Sequence, residues 1–255
     1  MKCTCIYCNN IFKASHRNRK FCSRSCSGKY IYKMNPEWKG RIGVYASRFI
    51  PLKHFNITNK CTEYFDGMLL GDGCIPKPRV KTRFTTRYAQ TFGKQYEEWA
   101  TIIKNDLLTF GIESTSTSTK QFSKQYNKFY YGFSLQTKTY VEFYDFYTRW
   151  YPNGIKIVPK DIELTPIVLK NWFLGDGSQA KSGKGIKIKI SSEGFDINSV
   201  ELLKEKLFIL GFDFKITKDR DLYLYKQEQV HTFFNMIGEF PLCFEYKRGI
   251  IFYAK

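Results

Sequence analysis

Two short stretches of this 255-residue chain place an acid between glycines at the end of an apolar run: Gly71-Asp72-Gly73 closes TEYFDGMLLGDG, and Gly175-Asp176-Gly177 closes TPIVLKNWFLGDG. A carboxylate in the last turn of a helix is unfavourable, because the unpaired carbonyls there already carry partial negative charge. One such acid reads as a turn signal. Two, in the same local context, point to a use. If the helices pack side by side, with Gly67 and Gly71 allowing close backbone approach, Asp72 and Asp176 arrive at adjoining helix ends. Beside the carbonyls of Gly71 and Gly175 they would form a negative pocket suited to a hard divalent cation such as Mg²⁺.

The second chemical pattern is Cys5-x2-Cys8, thirteen residues, then Cys22-x3-Cys26. Four thiolates at this spacing suit tetrahedral zinc, and so small a segment cannot build a core without the metal. Cys3 and His16 are spare donors. Cys61, Cys74 and Cys243 stand alone and read as core residues.

Both patterns need a scaffold. Lys and Arg number 41 against 23 acids, a net charge of +18, which favours a polyanionic partner. Residues 1–60 hold 13 basic residues and one acid, +12 of the total. This asymmetry predicts a basic module attached to a more balanced body. No apolar run approaches the ~20 residues needed to span a bilayer, and residues 1–30 lack a secretory apolar stretch. The expectation is therefore an intracellular protein with no membrane partner, in the cytoplasm of a bacterial or phage-infected cell or in an organelle matrix.

The expected division is a zinc module at 1–28, a basic linker at 29–60, and two repeats at 61–160 and 161–255. Each repeat reads α-β-β-α-β-β-α, an α+β fold. In the first, helices are predicted at 62–73, 95–110 and 139–151, with strand-like sequence at 75–92, 112–120 and 128–137. In the second, helices fall at 165–177, 197–210 and 228–238, and strands at 185–191, 212–217 and 221–226. Lys77, Arg79, Lys81, Arg83 and Arg87 alternate with residues including Val80 and Phe84, and Lys187 and Lys189 alternate with Ile186, Ile188 and Ile190. Period two puts the cations on one sheet face and the apolar residues on the other. Such a face either is simply solvated or lies in a DNA groove, where Lys and Arg reach phosphates and guanine edges. Recurrence in both repeats favours DNA. The run STSTSTK at 114–120 would add a hydroxyl-rich strand.

Phe65 to Gly73 and Leu169 to Gly177 resemble the nine-letter motif of the LAGLIDADG homing endonucleases, with Asp66 and Asn171 at letters often held by small residues. The resemblance spans about residues 61–253 and includes KIVPKDIELTP before the second motif. It implies a monomer in which one chain makes both halves of a pseudo-twofold β-saddle with two central helices. It further implies Mg²⁺-dependent hydrolysis of both strands of double-stranded DNA, Asp72 and Asp176 holding metal at the scissile phosphates. Lys156 in GIKIVP and Lys247 in FEYKRG would steady phosphate charge or organise water, and Gln90 would orient water. The cysteine module looks like the short zinc fingers of phage and intron endonucleases. The rival readings are a maturase that binds intron RNA and a DNA-binding regulator that does not cleave.

Overall fold

The computed structural model describes residues 2–16, 18–35, 52–78, 84–183 and 185–248. The chain divides into two compact units, Met1–Leu52 with Pro78–Phe84, and Lys53–Lys77 with Thr85–Lys255. Among the described residues no helix is long and apolar enough to cross a membrane.

In the first unit, β1 (Lys2–Thr4) and β2 (Ile11–Lys13) form an antiparallel hairpin with Cys3 opposite Phe12. Helix α1 (Arg24–Met34) starts at Ser23, whose hydroxyl accepts the amide of Cys26 at 3.1 Å, a standard N-cap. The helix runs on to Met34, beyond the boundary at 28 expected from the cysteines, and ends just before Asn35-Pro36, where proline disfavours helix in its predecessor.

The second unit opens with α2 (Asn59–Leu70), which begins three residues earlier than expected because Thr58 caps it through the Cys61 amide. The helix stops at Gly71, so Asp72 lies in the turn beyond it. β3 (Ala89–Gly93) is the only regular strand among the described residues of 75–92; before it, Cys74 bridges Ala89. α3 (Glu97–Thr109), β4 (Ser114–Ser123), β5 (Lys128–Thr137) and α4 (Glu142–Trp150) complete the first repeat. The sheet order is β3-β5-β4, all antiparallel.

The second repeat starts at α5 (Pro166–Asp176), capped by Thr165 with proline in its first turn, a position that needs no amide hydrogen. β6 (Gly177–Ser182) follows at once, a strand that the polar sequence GSQAKS did not reveal. Then come β7 (Gly185–Ile190), α6 (Ile197–Ile209), β8 (Lys215–Ile216), β9 (Leu222–Leu224) and α7 (Gln227–Ile237). This sheet is ordered β6-β7-β9-β8. The α-β-β-α-β-β-α architecture is thus regular throughout the second repeat.

The two motif helices are held alike. Phe65 of α2 packs against Phe143 and Phe146 of α4, at 5.1 and 5.4 Å between ring centroids. Phe173 of α5 packs against Phe233 and Phe234 of α7, at 5.8 and 5.4 Å. Burying such rings is the main stabilising term here, and the edge-to-face geometry adds to it.

The departures from the motif have distinct causes. Asn171 is buried and donates to the Tyr64 carbonyl at 3.4 Å. Asp66, 3% exposed, points to α4, where its oxygens accept from Arg149 at 2.6 and 3.0 Å and from the Trp150 indole at 3.0 Å. Arg149 also grips Asp161 at 3.0 Å. Removing one partner of a buried pair leaves an uncompensated charge. Arg149→Ala should therefore lower the unfolding free energy by about 3–5 kcal/mol, measured from urea denaturation; an unchanged midpoint would show that Asp66 finds another partner.

Candidate active site

The site begins where α2 and α5 touch. A Cβ added to Gly67 would sit 2.7 Å from the Val168 carbonyl and 2.9 Å from its Cα, and one added to Gly175 would sit 3.0 Å from Gly71 Cα and 3.1 Å from the Asp72 amide. Only glycine permits this approach. It brings the ends carrying Asp72 and Asp176 together.

Both acids are electrostatically strained. Burial, and then the like charge of Asp72, pushes the Asp176 carboxyl up to about 7. Asp72 keeps one side open to solvent, yet the protein around its other sides raises its carboxyl too, against the pull of Lys247 and Lys156. Desolvation disfavours the charged form of a carboxyl, and a like charge beside it adds to the effect, as at Asp176.

Two lysines answer them. Lys156 reaches back to the end of α2, donating to the carbonyls of Gly73 at 3.1 Å and Gly71 at 3.5 Å. Lys247, 6% exposed, reaches the end of α5 and donates to Leu174 at 2.8 Å and to Phe173 and Gly175 at 3.3 Å. Burial lowers the Lys247 ammonium to about 8 despite the nearby acids, and lowers Lys156 in the same sense. Each lysine therefore caps the motif helix of its own repeat, supplying the positive charge that a helix C-terminus favours. The Gly71 and Gly175 carbonyls are both engaged in this way.

The donors fit a divalent cation. Two oxygen ligands raised chiefly by burial, Asp176 also by the charge of Asp72, lose that penalty when a hard cation binds at the negative ends of two helices. Gln90 is turned into the first sheet's buried face. It projects from β3 on the same face as Phe92, is 4% exposed, and its side-chain oxygen accepts the Tyr88 hydroxyl. Two groups near the acids escaped the sequence reading: Glu193, whose charge further raises Asp176, and Phe195, whose ring lies 5.4 Å from the Lys156 ammonium. Neither sits in a recognisable motif.

On the second sheet the period-two reading is matched residue by residue. Ile186, Ile188 and Ile190 are buried, and Lys187 and Lys189 point the other way. Lys189 is ion-paired to Asp221 at 2.8 Å, while Lys187 lies 4.9 Å over the Tyr223 ring. Tyr223 and Asp221 were missed, although LYLY at 222–225 carries the same alternation. In the first repeat Lys77 is exposed, and Arg87 lies half-buried beside the fully buried Tyr88. Thr115 and Thr117 line an exposed strand face, opposite Gln136 and Ser134. Arg79, Lys81 and Arg83 lie outside the described residues.

In the first unit, Cys5, Cys8, Cys22 and Cys26 offer sulfurs that all lie within 4.8 Å of one another. Cys8 and Cys22 are 3.5 Å apart, and Cys22 and Cys26 3.4 Å. Burial would raise Cys5, but the amides of Cys8, Cys22 and Tyr7 pull it down to about 6; the neighbouring Cys26 and Cys8 push Cys22 up to about 12. The four are one cluster able to hold a metal. Cys3 and His16 are not part of it.

Residues 62–233 match the LAGLIDADG DNA endonuclease family. An uncharacterised protein of Methanocaldococcus jannaschii is 33% identical over 189 residues, 72% of this chain and 71% of that protein. A cytochrome b mRNA maturase, bI2, of Debaryomyces hansenii is 37% identical over 75 residues, 29% of this chain and 27% of the maturase. The solved structure of the homing endonuclease I-WcaI bound to its DNA recognition sequence superposes with a TM-score of 0.57 at 20% identity, covering 69% of this chain and 79% of that one. The last likeness is one of fold.

A test of the helix contact is Gly67→Ala. Overpacking costs about 1–3 kcal/mol, against roughly 1 kcal/mol gained by alanine in a helix. The variant should melt below wild type; equal or higher melting would show that the two helices separate without strain.

Proposed function

The chain belongs to the LAGLIDADG DNA endonuclease family, and on that premise we propose that it is a monomeric, site-specific endonuclease that hydrolyses both strands of a double-stranded DNA target. What carries the reading is the meeting of Asp72 and Asp176 at glycine-packed helix ends that a half-buried Lys156 and a buried Lys247 cap. A protein that only bound DNA would have no need of carboxylates facing phosphate.

In this reading the duplex lies along the exposed sheet faces, with Lys77, Arg87, Lys187 and Lys189 available to it. Lys189 is partly neutralised by Asp221, which assigns it more to joining β7 to the start of β9 than to reading bases. Asp72 and Asp176 hold Mg²⁺, with second lone pairs of the Gly71 and Gly175 carbonyls available beside them. When bound, the metal polarises the scissile phosphate, acidifies an attacking water and stabilises the leaving oxygen. Lys156 Nζ and Lys247 Nζ place fixed positive charge where negative charge grows on each phosphate. Gln90, its oxygen occupied by Tyr88, would orient water through its amide nitrogen.

We assign zinc to the four-cysteine cluster. A tetrahedral site with Zn–S bonds of about 2.3 Å has sulfurs about 3.8 Å apart, close to the separations of 3.4 and 3.5 Å. The metal would hold the hairpin to α1, and the basic residues of this unit would supply phosphate contacts.

Asp72→Asn and Asp176→Asn should each abolish double-strand cutting and leave DNA affinity within a few-fold of wild type. The assay uses a duplex that the wild-type chain selects from a randomised library, with Mg²⁺ or EDTA, ends mapped on both strands. Wild-type cutting by either variant would falsify the site. The stretch shared with the maturase favours RNA splicing as the second reading; stimulation of intron splicing without DNA ends would establish it instead.

Elemental analysis should find one zinc per chain, absent after Cys22→Ser with Cys26→Ser. Retention of stoichiometric zinc by that double variant would sink the zinc assignment.

A further inference from the structure

The two lysines are held in place by the opposite repeat. Lys247 ends a short 3-10 turn, Leu242–Lys247, of the second repeat. This turn is fastened to the start of α3 in the first repeat. Glu98 accepts the amides of Leu242 at 3.3 Å and Cys243 at 2.8 Å, one on each carboxylate oxygen. Tyr96 shares a hydroxyl contact with Tyr246 at 2.9 Å and stacks on Phe244 at 5.0 Å, while the Trp99 ring meets Phe244 edge-on at 5.8 Å.

Lys156 shows the mirror arrangement. Two residues after it, the Val158 amide donates to the Ser199 hydroxyl at 3.0 Å, and Ser199 lies buried in α6 of the second repeat. Trp99 and Ser199 are each the third residue of a 13-residue helix. The same helical position in each repeat thus meets the lysine-bearing segment of the other. The two fastenings differ in strength. Glu98 makes two charge-assisted hydrogen bonds, stronger than the one neutral bond made by Ser199.

We propose that Glu98 and Ser199 are positioning residues, each fixing the lysine of the opposite repeat, so that the two strands of the target are cut under separate control. The inference rests on the endonuclease reading above, with each lysine serving one scissile phosphate. Glu98 touches no reacting group. Its loss hands both amides to water and frees the turn that aims Lys247. Displacement of a charged group by about 1 Å can cost on the order of 100-fold in rate. Because Lys156 is held elsewhere, only one strand should feel the change.

The full chain is assayed on the selected duplex, each strand carrying its own dye. Glu98→Ala should slow cleavage of one strand by about 10- to 100-fold, with the other strand within twofold and the dissociation constant unchanged, so that nicked DNA accumulates. Ser199→Ala should bias the opposite strand, more weakly. Glu98→Gln, whose side-chain oxygen can still accept, should restore most of the lost rate. Lys247→Met serves as reference and should slow the same strand as Glu98→Ala. Equal slowing of both strands by Glu98→Ala, or no slowing while Lys247→Met remains strand-selective, overturns the positioning role alone. Cleavage of both strands at wild-type rate by Lys247→Met overturns the endonuclease reading of that lysine, and this inference with it. If Glu98→Ala does not fold, the strand bias of Ser199→Ala decides: none, and the proposal fails.

Discussion

The close crossing of α2 and α5 is the constraint on which the rest depends. Gly71 and Gly175 meet backbone to backbone, and that contact delivers two carboxylates to one place. Nothing about the acids themselves favours the meeting. Their charges repel, both are raised from their ordinary range, and the helix ends add negative potential of their own. The stability needed to hold them comes from elsewhere, chiefly the aromatic clusters that seat Phe65 and Phe173 in their own repeats. Groups held against their own electrostatics where solvent can still reach them mark a candidate functional site.

The lysines complete the balance without cancelling it. Their ammonium groups are committed to helix-end carbonyls, so they stay near the acids as cations rather than closing tight salt bridges. That geometry leaves carboxylate oxygens free for a divalent ion and leaves fixed positive charge beside the phosphate path. The cost of burying the lysines, seen in their lowered ammonium groups, is offset by the hydrogen bonds at two otherwise bare helix ends. Each lysine closes its own repeat's helix while the opposite repeat fastens the segment behind it, and this ties the two halves into one unit.

Asp66 illustrates how a departure from a motif can be absorbed. A carboxylate in place of a small residue would be costly between α2 and α5. It turns outward instead, toward Arg149 and Trp150, and becomes a bond between α2 and α4. Asn171 remains at the crossing but is short enough to bond the facing backbone at Tyr64. The contact distances at Gly67 stay tight.

What the sequence by itself determined was local and periodic. The paired glycine-flanked acids, the cysteine spacing, the period-two cations of β7 and the helices of the two repeats were legible, because each is written within a few consecutive residues; α1 behind the cysteines was not. β6 was not, since its polar residues carry no alternation. Tertiary structure alone decided what depends on distant partners. It turned Gln90 inward to Tyr88, bound Lys189 to Asp221, paired Asp66 with Arg149 and brought Glu98 to Cys243 across 145 positions. Backbone periodicity fixes which face a side chain takes, but the partner it meets there is set by how whole helices and sheets pack, and that packing is a property of the assembled core.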